Sequence, residues 1–144
     1  MPKPISTSAS AESWSALTPE PEEVEALRGQ VGPGPVVMVN LLKFKQPDGL
    51  AAMARYGEIT APLIQRQKGE VVYAGQAGPV VSGREDWDMV ILVRFPDIEA
   101  FIGLAADPLY QTQARPLREE ALERTVWMVS QPAPGAGQAD QGNP

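Results

Sequence analysis

Two stretches of the chain, Val36–Phe44 (VVMVNLLKF) and Asp86–Phe95 (DWDMVILVRF), are apolar on both alternating sides. Successive side chains of a strand point to opposite faces of its sheet. In the first stretch Val37, Val39 and Leu41 oppose Val36, Met38, Leu42 and Phe44; in the second, Trp87, Met89, Ile91 and Val93 oppose Val90 and Leu92. A fold built on these strands must therefore cover its sheet twice.

The segments between them set the topology. From Asp48 the period changes to helical, with Leu50, Met53, Tyr56, Thr60, Leu63, Ile64 and Gln67 three or four apart until Gly69, and Pro62 is expected to kink this helix. Glu70–Val81 reads as a second, irregular strand, and Ser82–Glu85 as a turn. Asp97 caps a short helix through Ile98, Phe101, Ile102 and Ala105, and Asp107-Pro108 opens another, with Pro116 as an expected kink. Arg124–Ser130 closes the body as a strand. The order β-α-β-β-α-β predicts an α+β, ferredoxin-like protomer whose four-stranded antiparallel sheet carries both helices on one face. The second face then needs a partner, and a second copy packed sheet to sheet as a homodimer, burying on the order of 1,600 Å², satisfies it.

The ends differ from this body. Nine of the 15 prolines lie in residues 1–35 and 131–144. Residues 1–35 read as an N-terminal extension, disordered in part, with a short helix over 19–29 capped by Thr18 and ended by Gly29. Residues 36–130 form the domain. The tail 131–144 has no aliphatic side chain larger than alanine and is expected to be disordered. With 12 basic and 18 acidic residues the formal charge is −6 and the bases are scattered, so neither nucleic acid nor a membrane is an expected partner. No secretory signal or membrane-length apolar run is visible, which points to the cytoplasm.

Histidine and cysteine are both absent. Disulfides, thiolate nucleophiles, Cys/His zinc sites and Ser-His-Asp triads are thereby excluded. Of what remains, Asn40 stands out, because an amide in a double-sided apolar strand must find partners; it either orients a ligand's carbonyl or enolate oxygen or bonds its neighbours and fixes the sheet. Asp88 and Arg94 share one parity of their strand, as a base and a carboxylate clamp or as an ion pair. Tyr73, Trp87 and Tyr110 join apolar bodies to polar tips, suiting a ligand pocket or a satisfied core. Asp86 and Asp88 lack the further acids that a hard cation needs, so no metal is expected. Gly29, Gly32 and Gly34 precede a strand and are not a phosphate loop. The stretch Arg115, Arg118, Glu119, Glu120, Glu123 reads as a solvated helix face.

Five strings carry a family resemblance: MVNLLKFK at Met38–Lys45, VVYAG at Val71–Gly75, WDMVILVRFP at Trp87–Pro96, Ala100-Phe101, and DPLYQ at Asp107–Gln111. Together they resemble domain-of-unknown-function family 1330, of the dimeric α/β-barrel superfamily, over about residues 36–124. The resemblance implies a ferredoxin-like protomer and a barrel formed by two sheets. Members of that superfamily include cofactor-free monooxygenases, haem-degrading enzymes, muconolactone isomerases and chlorite dismutases, several with a pocket between helices and sheet. Some use an Asn on the first strand with a nearby Trp and His; here Asn40 and Trp87 are present and the histidine is missing, so haem degradation by that arrangement is not implied. The expectation is a metal-free and cofactor-free enzyme on a small apolar carbonyl or carboxylate compound, with Asn40, Asp88 and Arg94 as its catalytic residues. The alternative is a non-catalytic dimer that binds a small ligand in the same pocket.

Overall fold

The computed structural model describes residues 17–135. The stretches expected to be disordered, 1–13 and most of 131–144, lie outside the described residues. An N-terminal strap holds helix α1 (Pro21–Ala26), continued by a 3-10 turn at Leu27–Gly29. Then follow β1 (Val36–Phe44), α2 (Gly49–Arg66), β2 (Glu70–Gln76), β3 (Met89–Phe95), α3 (Ile98–Ala105), a π-helical segment Tyr110–Ala114 leading into α4 (Arg115–Ala121), and β4 (Leu122–Ser130). The sheet runs β2-β3-β1-β4, with all neighbours antiparallel, which is the ferredoxin-like arrangement.

β1 alternates as its sequence demands. Val36, Met38, Asn40, Leu42 and Phe44 are buried beneath the helices, while Val37, Val39 and Leu41 are half-buried on the other side. Met38, Leu63, Phe95, Phe101 and Tyr110 centre the main core, where each fully buried large aliphatic side chain contributes about 1.5–3 kcal/mol. At the start of α2 only glycine fits: a Cβ on Gly49 would collide with the Ala121 carbonyl and the Phe44 backbone. That close approach lets α2 lie along α4 and the β1 end.

Several boundaries differ from the sequence reading, each for a local reason. Pro62 does not break α2, which is continuous through it; Pro62 is exposed, so water can serve the carbonyl that loses its N–H partner. Pro116 falls just after the π-helical segment Tyr110–Ala114, and the helical run continues through it to Ala121. β2 ends at Gln76, short of Val81, and β3 begins at Met89 instead of Asp86. The chain between them is tied back by Ala77 N–H to the Asp88 carbonyl (3.0 Å) and Asp88 N–H to the Leu42 carbonyl (2.8 Å). Thr18 does not cap α1. Glu20 does, through a reciprocal box with Glu23, and the Thr18 hydroxyl donates to Glu119 Oε2 at 2.7 Å.

All helices among the described residues lie on one side of the sheet. The open side presents Val37, Val39, Leu41, Val90, Leu92 and Met128, as their registers require. No helix among the described residues is long and apolar enough to cross a membrane.

Candidate functional site

Beneath the helices, between α2, α4 and the sheet, lies a cavity of about 390 Å³. Its walls are mostly apolar, with Met53 and Ile64 from α2 facing Val71, Ile91 and Val93 from the sheet. Five polar side chains reach it: Asn40 from β1, Tyr56 and Thr60 from α2, Arg118 from α4 and Trp127 from β4. A larger hollow of about 490 Å³ lies between the strap and β4, and Trp127 borders both. The smaller cavity is the better candidate because its polar groups are buried and converge.

Asn40 is 7% exposed, and its Oδ1 accepts from Arg118 Nη2 at 2.9 Å. Arg118 is only 1% exposed. Its Nε donates to the Leu17 carbonyl (2.9 Å) and Nη2 also to Thr125 Oγ1 (3.2 Å), whose hydroxyl in turn donates to the Leu41 carbonyl (2.8 Å). The guanidinium stacks 4.1 Å from the centre of the Trp127 ring and 5.7 Å from that of Tyr56. Trp127 Nε1 is buried and has no acceptor among the described residues. On the opposite wall the Tyr56 hydroxyl is 2.9 Å from that of Tyr110. Burial, and then the neighbouring Tyr56, push the Tyr110 hydroxyl well above its ordinary pKa, so it stays protonated at neutral pH.

The other expected site residues lie elsewhere. Asn40 pairs with Ile91 across β1 and β3, so it shares a face with Met89, Ile91 and Val93, whereas Arg94 points to the open side. Arg94 is exposed, 3.9 Å from Glu70 on β2. Asp88 precedes β3; its Oδ2 accepts from Phe44 N–H at 2.9 Å, where a register shift in β1 frees that donor, and Lys43 Nζ is 3.5 Å from Oδ1. It borders a neighbouring hollow with Gln46 and Gln76, not the cavity. Asn40, Asp88 and Arg94 thus do not meet, and the catalytic grouping expected of them loses its geometry. Asp86, with its pKa lowered by hydrogen bonds from Lys43 and Arg124, is an ion-pair hub, and no three of His, Cys, Asp and Glu cluster for a metal among the described residues.

Of the expected ligand contacts, Tyr73 is 54% exposed on the open side opposite Leu92. Trp87 lies outside the sheet with Arg124 stacked 4.8 Å from its ring centre. Tyr110 stands behind Tyr56 and does not line the cavity. The residue that sequence reasoning placed in solvent, Arg118, is the most buried charge described. One signal points to it: Tyr110, Ala114 and Arg118 are four apart, and all three are buried on one stripe.

Comparison with known proteins yields a family and no activity. The family described as "Domain of unknown function (DUF1330)" matches residues 35–132. A crystal structure of a protein of unknown function from Rhodopseudomonas palustris is 30% identical, with a TM-score of 0.73 over 83% of this chain and 98% of that one. The methylated form of that protein gives 0.72 over 83% and 96%, at the same 30% identity. A protein from Bacteroides fragilis, described as dimeric, of unknown function and with a ferredoxin-like fold, is 17% identical, with a TM-score of 0.48 over 68% of this chain and 96% of that one. No curated protein matches. The match from residue 35 to 132 takes in the whole sheet and the cavity beneath its helices, and the chain belongs to the DUF1330 family.

Proposed function

We propose that this protein is a small-molecule-binding homodimer whose ligand occupies the cavity between the sheet and helices α2 and α4. The cavity carries the reading: apolar walls with a few convergent, buried polar groups are the usual make-up of a ligand site. Binding is favoured over catalysis by what the walls offer. Asn40, Tyr56, Thr60, Arg118 and Trp127 donate hydrogen bonds, and no carboxylate, lysine or other ordinary base stands among the described lining residues. The dimer is supported by the open sheet face, where Val39, Leu41, Val90 and Leu92 form an apolar surface that the described residues of one chain leave without a layer. Two such faces packed together would make the barrel that the family resemblance implies.

One observation favours a catalytic reading as runner-up. The paired Tyr56 and Tyr110 hydroxyls could pass a proton to a ligand oxygen.

The binding reading is tested with Gly57→Leu. Gly57 lines the cavity on α2, a Cβ there meets nothing within 4 Å, and leucine is the better helix former. The variant is expected to fold at least as stably as wild type and to lose the thermal shifts that small apolar ligands produce. Ligands that shift both proteins equally would place the site elsewhere.

A further inference from the structure

We propose that the cavity ligand is a monocarboxylate with an apolar body, its carboxylate paired to Arg118. The inference rests on the binding reading above and names the ligand's chemistry.

A guanidinium stays charged in any protein environment, so burial must be offset by an anion or by several hydrogen bonds. Among the described residues Arg118 has hydrogen bonds but no anion. Its partners are the Leu17 carbonyl, Asn40 Oδ1 and Thr125 Oγ1, all neutral, with the Trp127 and Tyr56 rings on its faces. Among the described residues no carboxylate oxygen comes within 4.0 Å of it.

The other arginines of the same region behave differently. Arg115, three residues earlier and less buried, is paired with Glu20 at 2.9 Å and Glu119 at 3.3 Å. Arg124 has Asp86 at 2.8 Å. The described residues thus supply counter-ions to arginines that water already reaches and none to the far more buried Arg118. The neutral partners hold the fork in place without satisfying its charge, which is how a preorganised anion site is built.

Donors are also in excess. Arg118 Nη1 makes no hydrogen bond among the described residues, and Trp127 Nε1 has no acceptor. A carboxylate brings two acceptor oxygens and one negative charge. The single cation sets the ligand's charge at one, and Met53, Ile64, Val71 and Ile91 leave no partner for a second charged group, so the rest of the molecule is apolar.

The test compares phenylacetate and hexanoate with phenylacetamide and hexanamide by titration calorimetry on the full chain, as wild type, Asn40→Asp and Arg118→Met. Wild type is expected to bind each carboxylate at least about tenfold more tightly than its amide. Asn40→Asp is nearly isosteric and puts a fixed carboxylate against Nη2, so it should bring that ratio close to one while leaving amide affinity within about threefold. Arg118→Met should do the same, and if it fails to fold, Asn40→Asp carries the test alone. A purely structural Arg118 would not move the ratio. Amides that bind wild type as tightly as carboxylates, with Gly57→Leu abolishing both, would overturn the carboxylate and leave the cavity reading standing. No binding by any of the four would overturn both. A tenfold preference that Asn40→Asp leaves intact would remove Arg118 from the assignment.

Discussion

The two faces of the sheet reverse the usual relation between burial and polarity. Under the helices, where apolar side chains belong, Asn40 and Arg118 are buried. On the open side, where polar ones belong, Val39, Leu41, Val90 and Leu92 stand with no layer above them among the described residues. Each inversion costs stability in an isolated chain, and each would be relieved by a different one of the two proposed partners. A buried polar cluster calls for a small molecule, whereas an apolar sheet face calls for another sheet.

The largest expected effect lies on the open face. Leu92→Glu, in the middle of β3, places a carboxylate in the proposed sheet-to-sheet contact and should turn a dimer into a monomer at micromolar concentration, as read by size-exclusion chromatography with light scattering. A wild-type chain that is already monomeric would break the comparison outright. Beneath the helices, Asn40→Leu takes one acceptor from Arg118 and should cost about 1–3 kcal/mol in denaturant unfolding. A neutral effect would mean that the amide and the guanidinium are not coupled.

Tyr56→Phe is smaller again. It leaves the Tyr110 hydroxyl buried without its partner, for a loss of about 1–2 kcal/mol. The same hydroxyl gives a pH test. Its folded pKa lies above the unfolded value, so its contribution is complete below about pH 10 and is lost as pH rises beyond, because the unfolded chain releases the proton first. Thermal unfolding above pH 10 should therefore weaken more in wild type than in Tyr110→Phe. The smallest effect is expected for Arg94→Ala, whose exposed pairing with Glu70 at 3.9 Å should be worth less than about 0.5 kcal/mol.

The order of elements and the limits of β1 were legible because hydrophobic period reports burial directly. The doubly apolar strands likewise exposed the uncovered face. The candidate site was less legible. Parity places Asp88 and Arg94 on one side of their own strand, but only register relates that side to β1. Asn40 pairs with Ile91, so even-numbered residues of β1 share a face with odd-numbered residues of β3, and Arg94 falls on the side away from Asn40. Arg118 was hidden by company. Flanked by Glu119 and Glu120, it resembles a solvated charge, and only the four-residue spacing back to Ala114 and Tyr110 shows that it turns inward.

The strap at the start of the described chain reaches into the arrangement around Arg118. The family region begins at residue 35, yet the carbonyl that steadies Arg118 Nε belongs to Leu17, and Arg115 in the same helical layer is tied to Glu20. The shared domain does not hold its own arginine unaided. In this chain a change confined to the strap, outside the family region, would therefore alter how firmly that guanidinium is fixed. The proposed preference for a carboxylate would then shift while every residue lining the cavity stays the same.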